Sequence, residues 1–152
     1  MANKNLSAPD LTQRPPRSPR VRIGGYVLLA RCLDKGRAAL AGKNGEFNYD
    51  CPLDQYFLHF AGIKAADLKK QLALGKGDEE ILRWITAHSK TKPTAWAIAQ
   101  WSAYQEQSVP GSLERRQRFN GYLEKLSKSR EDIYTIFDVL DLDDYVTFGG
   151  KA

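Results

Sequence analysis

Cys51 is the residue whose type and setting come closest to chemistry. The run Asp50-Cys51-Pro52-Leu53-Asp54 reads as a helix start, with proline and an acid in the first turn. Free N–H groups at such an end favour negative charge on sulfur, the setting of nucleophilic and redox cysteines. Asp50 and Asp54 act against it. His59 follows two turns later on the same side. At 1.5 Å per residue it lies about 12 Å along the axis, too far for direct contact. The competing reading, which we prefer, is a small buried residue that seats the helix end, as free cysteines usually are.

A second group of candidates is cationic. Arg14-Pro15-Pro16-Arg17-Ser18-Pro19-Arg20-Val21-Arg22 sets arginine forks on a proline-stiffened segment. Such forks bind carboxylate or phosphate bidentately. No aromatic interleaves with them, which argues against base stacking. Trp84, Trp96, Trp101 and Tyr104 lie close in sequence and suit an interhelical core better than an apolar ligand pocket.

Other chemistries lack their residues. There is no phosphate-cradling glycine loop, dinucleotide fingerprint or nucleophile elbow. Cys32, Cys51, His59 and His88 are not spaced as paired zinc ligands, and no metal or cofactor is expected. Asp141, Asp143 and Asp144 suggest a calcium loop, but Val146 stands where glycine is required and Ala152 where the final glutamate belongs.

The elements that must position these groups read as helices. Apolar residues at helical spacing predict stretches at about 26–41, 52–61 and 63–74, a fourth that starts at Asp78 and carries Ile81, Leu82 and Ile85, others at about 93–107 and 113–126, and one capped by Ser129 that carries Ile133, Ile136, Phe137 and Leu140. Asp78 is expected to cap the fourth. In the first, Arg31, Asp34 and Lys35 fall on a different side from Leu29, Leu33 and Leu40. Residues 46–49 alternate too briefly for a strand, and 141–152 read as an acidic turn and tail. The expectation is an all-α, compact single-domain bundle of about six to seven short helices over residues 21–152, preceded by a Pro/Arg-rich extended arm over 1–20.

The chain has 152 residues, 42% apolar and 27% charged, with a net charge of +5. Its pI is about 9.2 and its mean hydropathy −0.50. That is ordinary for a folded soluble domain, and no apolar run approaches a membrane span. Residues 1–22 show no apolar stretch of the secretory kind, and two cysteines fit a reducing cytoplasm. Charge is uneven. Lys4, Arg14, Arg17, Arg20 and Arg22 against Asp10 give +4 over residues 1–22, whereas six acids against Arg130 give −5 over residues 130–146. The arm is therefore expected to dock on the helical body, with Arg17 and Arg20 finding Asp34 or the acids at 141–144.

Arg17-Ser18-Pro19-Arg20, Gly24-Gly25-Tyr26, Asp34-Lys35, Cys51-Pro52-Leu53-Asp54 and the ending Phe137-Asp138 through Phe148-Gly149-Gly150 resemble a bacterial family known only as a domain of unknown function. The resemblance spans about residues 11–150. It implies a bacterial single-domain protein, with the arm as part of the pattern, and it carries over no mechanism.

The reading that follows is a non-enzymatic binding or interaction domain for an anionic small molecule or a protein partner. Arg17, Arg20, Arg31 and Lys35 would bind the anion, Asp34 and Asp54 would orient them, and Cys51 would present a helix N-terminus. One alternative is a small enzyme using Cys51 as nucleophile or redox group, with His59 or His88 as base. Another is weak, salt-sensitive binding of nucleic acid.

Overall fold

The computed structural model describes residues 7–152, so Met1–Leu6 of the expected arm, with Lys4, lie outside the described residues. Seven helices follow in order: α1 Leu29–Leu40, α2 Pro52–Ala61, α3 Ala65–Ala73, α4 Asp78–His88, α5 Ala95–Glu106, α6 Leu113–Leu126 and α7 Ile136–Thr147. The chain is all-α. The single β-bridge among the described residues, Ile23 to Tyr26, closes the turn at Gly24-Gly25. Both glycines adopt positive φ, 57° and 82°, as a two-residue hairpin turn requires.

α1 is the central element. Leu29, Cys32 and Leu33 are fully enclosed with Phe57 and Leu58 of α2, Leu68 and Leu72 of α3, and Ile81 and Ile85 of α4. Each such side chain contributes about 1.5–3 kcal/mol on burial. Tyr26 meets Phe57, Phe60 and Trp101 edge-on, and Phe60 stacks flat on Trp101 at 4.7 Å. α5 is tied to the turn by Ser102, whose hydroxyl donates to the Gly25 carbonyl and accepts from the Val27 amide. A second cluster of Phe119, Ile133, Val139 and Leu142 joins α6 to α7.

The arm lies against this body. Leu11, Pro16 and Pro19 are buried, the Leu11 amide donates to the Lys43 carbonyl, and the Leu28 amide donates to the Pro19 carbonyl. Val21 is exposed and does not anchor the arm.

Four expectations need correction. The first helix begins at Leu29, because Leu28 takes a left-handed conformation (φ 68°). The side of α1 that carries Arg31, Asp34 and Lys35 is buried like its apolar side, since the arm, α2 and α7 cover it. Asp78 does not cap α4; Gly77 does, and the Asp78 carboxylate turns to two arginines. The last helix is capped by Thr135 rather than Ser129 and runs on through Asp141–Thr147, which was expected to be a turn. Thr135 accepts from the Asp138 amide while Asp138 accepts from the Thr135 amide, a reciprocal capping box.

Candidate functional site

The predicted site residues fall into a belt of internal ion pairs around α1. Arg17 is its hub. Its backbone amide and guanidinium both reach Asp34, at 2.9 Å each, and its Nη1 reaches Asp78 at 2.7 Å. Arg37 holds the other oxygen of Asp78 at 2.7 Å. Burial works against the Arg17 charge, but the hydrogen bonds it donates to Asp78 and Asp34 outweigh this and hold the guanidinium above its usual range. Burial likewise tends to raise the Asp78 carboxyl, but the two arginines prevail and hold it below its ordinary value.

Arg31 is the most deeply placed arginine. It grips Asp144 bidentately at 2.7 and 3.1 Å, with side chains only 6% and 8% exposed. It also donates to the Arg17 carbonyl and lies over the Phe47 ring. Burial pushes the Asp144 carboxyl up, and Arg31 reverses that only in part. Arg20 pairs with Asp138 and Asp141, and Arg22 with Glu106. Asp141 and Asp144 thus serve as arginine partners, while Asp143 accepts from the Thr147 hydroxyl, and all three lie on a helix rather than in a loop. The expected pairings of Arg17 with Asp34 and of Arg20 with Asp141 are both present.

Lys35, Asp54 and Cys51 form a separate buried corner. Lys35 Nζ is 2.8 Å from Asp54 Oδ1 and 3.2 Å from Cys51 Sγ. Asp54 also accepts from the Asp50 amide, which is presented by a left-handed Asp50 (φ 63°). Cys51 is the N-cap of α2, half-buried, and its charged neighbour is a lysine rather than a histidine. His88 is occupied elsewhere, bonded to the Trp84 carbonyl and stacked on its ring. Cys32 is fully buried, and burial pushes its thiol up. Among the described residues every buried side-chain nitrogen and oxygen has a partner, and no His/Cys/Asp/Glu group is arranged to hold a metal.

All seven predicted site residues are therefore engaged within the chain, in three places rather than one. A ligand would have to displace a carboxylate to reach the arginines or Lys35.

A further cleft lies elsewhere, between the start of α2, the end of α5, the 108–111 loop, α6 and α7. It holds about 500 Å³. Leu53, Phe119, Ile136, Phe137 and Val139 make its floor, and Tyr56, Tyr104, Tyr122, Arg115 and Arg118 its walls. Ser112 caps α6 by accepting from the Arg115 amide, and so fixes the start of the helix that carries both arginines. Arg118 pairs with Glu114 on its own helix, whereas Arg115 makes no ion pair among the described residues. Burial and a hydrogen bond to Asp143 push the Tyr122 phenol up to about 12, so it stays a neutral donor. Tyr104, expected in the core, is 71% exposed at this cleft, and Trp96, also expected there, is 72% exposed. The cleft was missed because its members are far apart in the chain. Its one local signal is the pair Arg115 and Arg118, set one turn apart behind Pro110-Gly111-Ser112.

Among the described residues, no helix is long and apolar enough to cross a membrane. Residues 13–146 match the model of a family described as a domain of unknown function. No curated protein matches the chain.

Proposed function

The chain belongs to that family, DUF5069, and from this premise and the geometry we propose a non-enzymatic binding domain whose ligand is a small anion with an apolar body. The observation that carries the reading is the cleft, with an apolar floor, three tyrosines and two arginines on its walls. Its volume is that of ordinary small-molecule sites, and a few polar groups around an apolar surface are what orient such a ligand. Arg115 would read the anionic head, with Arg118 as its second donor. Phe119, Phe137 and Val139 would cover the apolar body.

The belt around α1 supports this reading by elimination. Arg17, Arg20 and Arg31 already hold Asp34, Asp138, Asp141 and Asp144, and Lys35 holds Asp54. Those residues, with Cys51 at the α2 start, would act as the frame that fixes the cleft's walls. The paired arm arginines also leave little charge for nucleic acid, so any such binding should be weak and salt-sensitive. Two free cysteines suit a reducing compartment, and we read the protein as bacterial and cytoplasmic.

A titration followed by amide NMR tests it, with decanoate, decylamine and acetate as probes. Decanoate should shift resonances of Tyr104, Arg115, Phe119 and Tyr122, and the other two should bind far more weakly. Arg115→Ala with Arg118→Ala should weaken decanoate at least about tenfold, the loss of one charge-assisted bond. Equal binding of decylamine, or shifts confined to the arm, would defeat the reading.

A further inference from the structure

The buried corner at the start of α2 points to a modification independent of the cleft. We propose that Cys51 and Lys35 form a covalent bridge through one oxygen, Sγ–O–Nζ, when the protein meets a hydroperoxide, and that this bridge reversibly locks α1 to α2. Three observations carry it. Lys35 Nζ already donates to Cys51 Sγ at 3.2 Å, a gap that one inserted oxygen can span. Lys35 is only 3% exposed and is held in place by Asp54 at 2.8 Å, so its amine cannot swing away to solvent. Cys51 is half-buried and open to a small oxidant, whereas Cys32 is sealed in the core and burial pushes its thiol up.

The step balances with two hydroperoxide molecules, taken here as hydrogen peroxide. The first oxidises the Cys51 thiol to a sulfenic acid and leaves as water. Lys35 then passes one proton to the Asp54 carboxylate and becomes a neutral amine. The second peroxide takes one hydrogen from the sulfenic O–H and one from the amine N–H as the O–N bond forms, and leaves as two waters. The buried ammonium–carboxylate pair becomes an uncharged amine and an uncharged acid, so no lone charge remains in the corner. A thiol reductant returns both side chains.

Intact-mass analysis of the full chain after mild hydrogen peroxide tests this. The product should gain one oxygen and lose two hydrogens. Digestion should release one branched peptide joining residues 35 and 51, and dithiothreitol should restore the starting mass. The melting temperature should rise on oxidation and fall back on reduction. Lys35→Arg keeps a cation opposite Asp54 and should oxidise at Cys51 without bridging; Cys51→Ser should give no product of that mass. A Cys32–Cys51 disulfide, a Cys51-linked dimer, or sulfinic acid at Cys51 with Lys35 unmodified in the unaltered chain would each overturn the proposal.

Discussion

Asp144 shows how a buried residue can be both costly and indispensable. Its carboxyl is pushed up by burial, which outweighs what Arg31 returns, so its ionised form is held at a cost. Removing it is worse, because Arg31 would then keep its charge in a site only 6% exposed with no counterion. Asp144→Ala should destabilise the fold by about 3–5 kcal/mol in urea unfolding, the usual result of breaking one half of a buried pair. Replacing both residues together, Arg31→Met with Asp144→Leu, should recover much of that loss. A double variant as unstable as the single one would show that the pair matters for packing and not for charge. The sequence made the charges visible but not their depth. Opposite charge at the two ends of the chain foretells Arg20 with Asp141, a half-exposed pair. Nothing local foretells that Arg31 and Lys35 are buried, because the surfaces that cover them come from the arm, α2 and α7.

At the scale of elements, boundaries were legible where backbone chemistry leaves little choice. Pro52 at the start of α2, Ser112 at the start of α6 and glycine at the end of α2 mark their helices unaided. The left-handed Gly62 (φ 64°) has the amides of Lys90 and Thr91 within 3 Å of where a Cβ would stand, so only glycine fits. The last helix was misplaced because two similar signatures lie six residues apart. Ser129 precedes Asp132 by three positions, and Thr135 precedes Asp138 by three. Tertiary contacts decide between them. Arg20 pairs with Asp138, and the Ile136 amide donates to the Ser108 carbonyl at the end of α5. Arg130 instead clasps Asp132 in the exposed loop before α7. Thr135→Ala should therefore cost about 1 kcal/mol and lower the urea midpoint. Ser129→Ala should stay within about 0.5 kcal/mol, as surface changes usually do. Comparable losses at both sites would mean that the capping box is not what starts α7.

For the whole molecule the arm is the element that converts a cluster of helices into a closed polar belt. It supplies Leu11 to the interior, Arg17 to Asp34 and Asp78, and Arg20 to Asp138 and Asp141. Exposed or half-exposed pairs contribute only about 0–1 kcal/mol each, so Leu11 must supply much of the hold, at about 1.5–3 kcal/mol when fully buried. Ordering the segment consumes part of this, though Pro15, Pro16 and Pro19 already restrict the free chain. A net loss of about 2–3 kcal/mol is expected on deleting residues 1–20, which at this size lowers the melting temperature by roughly 5–10 °C. Salt at 1 M should reproduce only the smaller, ionic share, since it screens the pairs and not the Leu11 contact. Acid should act on the same pairs. Burial tends to raise the Asp138 carboxyl, but the Thr135 and Tyr134 amides and Arg20 outweigh it and hold it below its ordinary value; Asp78 is lowered in the same sense by Arg17 and Arg37. A lowered carboxyl contributes stability that is fully present above its unfolded value and is lost as pH falls through the folded one. Melting temperature should thus decline below about pH 4 in the intact chain, and decline less steeply in the chain lacking residues 1–20, where Arg17 and Arg20 are gone. Parallel acid limbs in the two proteins, or an unchanged melting temperature on deletion, would show that the arm rests on the surface without holding it.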